Sequence, residues 1–307
     1  MDIRQLRHFV AVAEELHFGR AAERLHMTQP PLSQSIQSLE RELGVELFAR
    51  TKRRVMLTPV GEQWLAHVHD LLQRMEVLPQ IAVRLARGEI GTLSLAFVST
   101  ANYTLLPMLA RRFKRRFPHV QLSLREATSD VQIDEILGGR LQTGLIIPSA
   151  GFSHPSLAYH SLLSEPLVAA VPEAWVATGR QLDVTGGILD FKSVLDAPLI
   201  LFPRHIAPAF HDIVMGYYAT HEARPQMGQE AVQMQTIVSL VSAELGIALV
   251  PQSLRSLARP GVTYLPLAGE PPRLETGLVW RQDDRSPALQ HFVRMATAAV
   301  PEGEGPE

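Results

Sequence analysis

Residues 29–43 carry a pattern suited to reading nucleic-acid bases. Leu32, Ile36, Leu39 and Leu43 follow one another at steps of four, three and four, which turns them to one face of a helix. The opposite face then presents Gln29, Ser33, Gln34, Gln37 and Ser38. A Gln amide pairs with an adenine edge in bidentate fashion, and a Ser hydroxyl bonds to bases or phosphate. A face dense in Lys and Arg would hold a polyanion with little selectivity, whereas this neutral polar face suits base reading. Arg50, Lys52, Arg53 and Arg54 follow shortly after and supply charge for phosphate or minor-groove contact. Taken singly, these features are a solvated amphipathic helix and a basic turn. In combination they make a helix, the tight turn His26-Met27-Thr28-Gln29, a second helix with a polar outer face, and a basic wing.

A second group of residues suggests a small anion. Ser99-Thr100 lies between a strand and a helix starting near Thr104, and Ser129 lies between a strand over 120–127 and a helix starting at Asp130. Hydroxyls and free N–H groups at helix starts form an anion site without a charged side chain. Open α/β sheets bind ligands at the carboxyl ends of their strands, where both segments fall. The alternative is plain N-capping, which Ser and Thr do in most proteins.

Other chemistry lacks its parts. With no Cys there is no disulfide, thiolate metal site or thiol catalysis, and no thiol with which to sense oxidants. His67 and His69 sit two apart on a helix and point to different sides, so surface or interface histidines are expected. Neither a nucleophile-elbow nor a phosphate-loop motif is present. No convergent acid/base or nucleophile set is visible, so neither an enzyme nor a bound cofactor is expected.

These residues need elements to position them. Ile3, Leu6, Phe9, Val10, Ala13 and Leu16 share a helical face, Gly19 breaks the pattern, and a short helix follows through Ala21, Ala22 and Leu25. Thr28 is placed to cap the next helix, Pro30 and Pro31 suit its first turn, and Gly44 stops it. Segment 45–58 reads as a small hairpin with the basic tip Arg50 to Arg54. A long helix then runs from Thr58-Pro59 to about Arg87. Its apolar positions Trp64, Val68, Leu71, Met75, Leu78, Ala82 and Leu85 step 4, 3, 4, 3, 4, 3. That is a heptad pattern for pairing with a second copy, the alternative being a helix packed on its own domain. Pro79 predicts a kink or break.

From about residue 91 short apolar strands alternate with helices. The strands fall at 92–98, 120–126, 145–147, 167–171, 199–202, 247–250 and 277–280, and the helices at 105–117, 131–137, 208–221, 231–245 and 287–299. This predicts an α/β domain with a largely parallel sheet. The domains expected are a winged helix-turn-helix over 1–58, a linker and dimerisation helix over 59–88, and a sensing domain over 89–300. The last divides into two α/β lobes, about 89–162 plus 267–300, and 163–266. A disordered tail over 301–307 has no apolar residue.

The 307 residues carry 29 Lys+Arg and 31 Asp+Glu, which excludes coating of nucleic acid by bulk charge. The balance still conceals a basic wing. The string Arg111, Arg112, Lys114, Arg115 and Arg116 is either a solvated helix end or a second nucleic-acid contact. No stretch has the length of a membrane span and no secretory signal is visible, so a cytoplasmic protein is expected.

Residues 3–66, through the stretches LRHFVAVAEELHFGRAAERLHMTQPPLSQSIQSLERELGVELFART and LTPVGEQWL, resemble the winged helix-turn-helix of LysR-type transcriptional regulators. The resemblance implies a fold of α+β multidomain type: winged helix-turn-helix, long linker helix, and a two-lobed effector domain of periplasmic-binding-protein type. It implies a double-stranded DNA operator as partner, a homodimer through the linker helix, a homotetramer, and RNA polymerase as a further partner. Gln29, Pro30, Ser33, Gln34 and Gln37 fall on the family's recognition-helix positions and Arg53 on its wing, with Gln34 where many relatives have Arg. The stretches FVSTANYTLLP, EATSDVQ, LILFPRHIAPAF and LVSAELGIALVP are similar to the subgroup controlling benzoate, catechol and chlorocatechol degradation. That subgroup implies an aromatic-acid or muconate-like effector held at Ser99, Thr100, Ser129, Phe202 and Pro203. Arg204 follows and would offer a carboxylate its fork of donors. The rival function is a cytoplasmic solute-binding protein with no transcriptional role, which would have no use for residues 1–90.

Overall fold

The computed structural model describes residues 1–50, 54–179, 182 and 184–299. Lys52, Arg53 and the tail 301–307 lie outside the described residues, as does the side chain of Arg50. Two compact units divide the chain, Met1–Arg84 and Leu85–Glu307.

In the first unit α1 (Ile3–Glu15) opens with a capping box. Asp2 Oδ1 accepts from the Gln5 amide at 2.7 Å, and Gln5 Oε1 accepts from the Asp2 amide at 2.8 Å. Helix α1 ends in a left-handed residue at Leu16, which is exposed, as is Ile3. The inward face is therefore narrower than the apolar spacing predicts. The break comes at Leu16-His17 and not at Gly19, because His17 Nδ1 accepts from Gly19 N and Arg20 N and starts α2 (Phe18–Arg24) one residue before the glycine. Helix α3 (Gln29–Leu43) buries Leu32, Ile36 and Leu39. Thr28 stands at its N-cap position without a side-chain cap bond, and Gly44 stops it at φ 71°. The wing is an antiparallel pair, β1 (Phe48–Arg50) and β2 (Val55–Leu57). Glu40 Oε1 ties it to α3 by accepting from Leu47 N and Phe48 N at 2.9 and 3.1 Å.

Of the kink or break expected at Pro79, the break is absent: helix α4 (Pro59–Ala86) runs through it. Pro79 and its neighbours Leu78 and Gln80 are exposed, so the carbonyl left without a donor one turn back has water at hand. Thr58 Oγ1 caps the helix by accepting from Gly61 N at 3.0 Å. Gly61 is required by close approach: a Cβ there would lie 2.2 Å from the Leu47 carbonyl oxygen. Trp64 packs on Phe9 at 4.8 Å between ring centroids, and Val68 is buried in the core with Phe9, Phe18 and Phe48.

The second unit is built on two long strands. Its elements are β3 (Gly91–Phe97), a 3₁₀ turn over Ser99–Tyr103, α5 (Leu105–Arg116), β4 (Val120–Glu126), α6 (Ser129–Leu137), β5 (Thr143–Ile146) and β6 (Leu157–Pro172). Then come α7 (Glu173–Thr178), β7 (Val184–Thr185), β8 (Ile188–Leu189), α8 (Phe191–Asp196), β9 (Pro198–Leu201), α9 (Pro208–Thr220), β10 (Gln226–Glu230) and α10 (Met234–Ser242). The chain closes with β11 (Ala248–Pro251), a 3₁₀ turn over Gln252–Leu257, β12 (Val262–Leu265), β13 (Arg273–Arg281) and α11 (Pro287–Ala299). Strands β4, β3 and β5 are mutually parallel. Strand β13 pairs antiparallel with β5 and β6, and the far half of β6 pairs antiparallel with β11 and β12. The sheet is thus mixed and not largely parallel. Strands β6 and β13 run antiparallel to each other along their length and join the β3–β5 side to the β11–β12 side. Strand β9 pairs parallel with β10.

Candidate nucleic-acid interface and ligand cavity

Burial of Leu32, Ile36 and Leu39 turns the opposite side of α3 outward. Gln29, Pro30, Gln34 and Gln37 are exposed and Ser33 and Ser38 half-buried. These six residues therefore occupy one accessible face, which begins at the first helical residue, Gln29. The tight turn before α3 passes through His26 in a left-handed conformation, φ 54°, with Met27 N donating to Ala22 O at 2.9 Å. Ala21 and Ala22 are buried, so small side chains let α2 and α3 approach. Behind α3, His8 Nδ1 meets Ser35 Oγ at 2.8 Å. Burial, followed by the charge of Arg4, holds the His8 imidazole below its ordinary pKa. Arg54 is exposed just before β2. Arg53 is among the residues not described, and of Arg50 only the backbone in β1 is described.

The heptad positions of α4 separate into two groups. Trp64 and Val68 pack on their own unit. Leu71, Leu78 and Leu85 are 45%, 56% and 48% exposed in the single chain. His69 Nε2 lies 3.4 Å from Glu14 Oε1, and among the described residues no cluster of His, Asp or Glu could hold a metal. In the basic string, Lys114 Nζ donates to the carbonyls of Pro118 and Val120 at 3.0 and 2.9 Å, closing the end of α5.

A cavity of about 450 Å³ lies in the second unit. Ser99, Thr100, Ser129 and Phe202 line it, four of the six residues expected there. Ser129 is the first residue of α6, and its hydroxyl accepts from Ile147 N at 3.1 Å, which leaves its proton to donate. Thr100, 5% exposed, has a buried Oγ1 with no hydrogen-bond partner among the described residues. Phe202 packs edge-on against Phe210, also in the lining, at 5.3 Å. The N-cap positions of α5 and α6 are held by Thr104 and Thr128, not by Ser99, Thr100 or Ser129, and neither makes a side-chain cap bond.

Pro203 and Arg204 do not line the cavity. The Pro203 carbonyl accepts from Ile206 N and Ala207 N and turns the chain from β9 toward α9. Arg204 corrects the expectation of a cationic fork for the ligand. Its guanidinium is 67% exposed and donates Nε and a terminal nitrogen to the two Asp212 carboxylate oxygens at 2.8 and 3.0 Å. The bidentate partner that a ligand carboxylate would need is supplied from within the chain.

Two further helix starts reach the cavity that the sequence reading did not assign to it. Ala207 and Pro208 begin α9, and Gln233 stands at the N-cap of α10. With Thr128 before α6, three N-cap residues line one cavity, and none makes a side-chain cap bond. The first N–H groups of an α-helix have no partner within it, and the dipole adds partial positive charge there. Pro208 at a first helical position was a visible start signal, but nothing in the spacing showed where that start would point.

Two family models match the chain: "Bacterial regulatory helix-turn-helix protein, lysR family" over residues 3–62, and "LysR substrate binding domain" over residues 86–301. The HTH-type transcriptional regulator IlvR of Caulobacter vibrioides is 58% identical over 298 residues, 97% of this chain and 98% of its own. The regulator AlsR of Bacillus subtilis is 36% identical, covering 96% of this chain and 95% of its own. Among solved structures, full-length CbnR in complex with its target DNA is similar at a TM-score of 0.78 and 27% identity, covering 98% of this chain and 100% of that one. With both models matched and relatives aligned end to end, the chain belongs to the LysR family of DNA-binding transcriptional regulators, a family of regulators and not of enzymes.

Proposed function

We propose that a small organic carboxylate with an apolar body, bound in the cavity, modulates how this regulator engages its operator. The observation that carries the reading is the convergence of three helix starts without side-chain caps, with the hydroxyls of Ser99, Thr100 and Ser129, on a cavity with an apolar wall. Such a site holds a carboxylate without a cationic side chain. The apolar wall of Ile147, Phe152, Phe202 and Phe210 suits an aromatic or aliphatic body. An aromatic or muconate-type acid, as in the aromatic-degradation subgroup, is one member of that class. CbnR, named in its structure as bound to target DNA, supports DNA reading by the matching unit of this chain.

In this reading residues 1–58 read an operator half-site through Gln29, Ser33, Gln34 and Gln37, with Arg50, Arg53 and Arg54 at the phosphates. Residues 59–88 pair two copies, and residues 89–300 sense the acid in two lobes. The dimers assemble as a tetramer in the cytoplasm, and RNA polymerase is the further protein partner. The acid acts by preferring one arrangement of the dimers, which is the only way a ligand moves such an equilibrium.

The test combines both faces. A screen of carboxylates should find at least one that raises the melting temperature saturably, with Thr100→Val weakening it about 10-fold. Ser33→Ala and Arg53→Ala should weaken operator binding, and Arg53→Ala should flatten its salt slope by about 1. A flat screen, or footprints and transcription unchanged by an acid that binds, refutes the modulation.

A further inference from the structure

We infer that the effector is a zwitterion, an α-amino acid with an apolar side chain, whose carboxylate sits at the starts of α9 and α10 and whose ammonium faces Glu126 and Asp130. The inference rests on the effector reading above and narrows its chemistry.

The lining contains two ionisable residues, Glu126 and Asp130, and both are acids. Among the described residues no Lys, Arg or His lines the cavity, and Arg204 is occupied by Asp212. A plain carboxylate therefore meets helix starts on one side and like charge on the other, and a dicarboxylate meets the like charge with its second anion. The helix starts are also unequal. Asp130 lies in the first turn of α6 and already answers that helix dipole. Helices α9 and α10 have no acidic residue in the first turn and no side-chain cap. Pro208 has no N–H and Ala207 N donates to Pro203 O, so the groups left for a ligand carboxylate are the amides of Ala209 and Phe210 in α9 and the first amides of α10. The lining thus brings together two helix starts without acids or side-chain caps, those of α9 and α10, and two acids, at the close of β4 and in the first turn of α6. The charge of Glu126 is felt nearby: after burial, it is the next cause that raises the Tyr103 phenol, to about 12. Buried Thr100, whose hydroxyl has no partner among the described residues, is an independent sign that a polar ligand group is expected in the cavity. A molecule with one anion, one cation and an apolar branch satisfies all three features.

Calorimetric titration of the full chain tests this with matched pairs. L-leucine is compared with 4-methylpentanoate, L-phenylalanine with 3-phenylpropanoate, and both with cis,cis-muconate. At least one amino acid should bind roughly 10-fold or more tightly than its deaminated partner and than muconate. Glu126→Gln and Asp130→Asn should narrow that ratio by weakening the amino acid and tightening the plain acid. Tighter binding of a deaminated acid or of muconate, lost in Thr100→Val, overturns the zwitterion and keeps the cavity as an effector site. A ratio unmoved by both substitutions also overturns it. Flat titrations with every probe overturn it as well, and with a flat carboxylate screen they remove the effector reading too.

Discussion

His8 shows how a single buried side chain couples the reading helix to pH. Its Nδ1 meets Ser35 on the inner side of α3, and its pKa is lowered by burial and then by Arg4. The folded state therefore disfavours the proton that the unfolded chain accepts near the ordinary pKa of about 6.5. Stability from the neutral form is present above that value and is lost as pH falls through it toward the lowered folded pKa. His8→Asn keeps an amide toward Ser35 without a titrating group. Thermal melts at pH 7.5 and pH 5 should show the parent losing more melting temperature than the variant across that interval, and equal losses would discount the role of His8. Arg204 carries the opposite lesson. Its type suggested a ligand contact, but its bidentate pair with Asp212 uses the donors a ligand would need, and an exposed pair of this kind adds little stability.

At the scale of elements, α4 serves two neighbours. Its first turns belong to the wing and α1, through Thr58, Gly61, Trp64 and Val68. Farther along, Leu71 and Leu78 continue the same heptad and are about half exposed in the single chain. Burial of such a side chain in a paired helix contributes about 2 kcal/mol, near a 30-fold change in dimer Kd. Leu71→Glu and Leu78→Glu should each raise the dimer dissociation constant by at least that factor in sedimentation experiments. The effect should be largest in the double variant. An unchanged association state would place the dimer contact elsewhere.

Taken as a whole, the chain is two compact units, Met1–Arg84 and Leu85–Glu307, each with its own core. Multidomain chains need not melt in one step. A ligand that binds only the second unit stabilises it by about 2.7 kcal/mol at 100 times its Kd. Differential scanning calorimetry should therefore resolve a transition that climbs with effector concentration and another that stays in place. Two transitions climbing in parallel would show that the units melt as one cooperative body. Among the described residues no helix is long and apolar enough to cross a membrane.

The sequence by itself determined the kinds of elements and much of the reading face. The steps between Leu32, Ile36 and Leu39 follow from 3.6 residues per turn, and those steps alone orient Ser33, Gln34 and Gln37 outward. Capping and Pro signals set helix starts to within a residue or two at α3, α4, α6 and α9 for the same local reason. The first half of β6 escaped notice because its burial is irregular along Leu157–Pro166 and lacks an alternating pattern. Only the tertiary structure decided the cavity. Ser99, Asp130, Pro208 and Gln233 are far apart in the chain, and their meeting depends on how β6 and β13 pair and where α9 and α10 pack. Periodicity and capping act within one or two turns, whereas the polarity of a cavity is the sum of charges and helix ends brought together by long-range packing. For that reason no local signal marks the place of the acids Glu126 and Asp130 in the cavity lining or the pairing of Arg204 with Asp212.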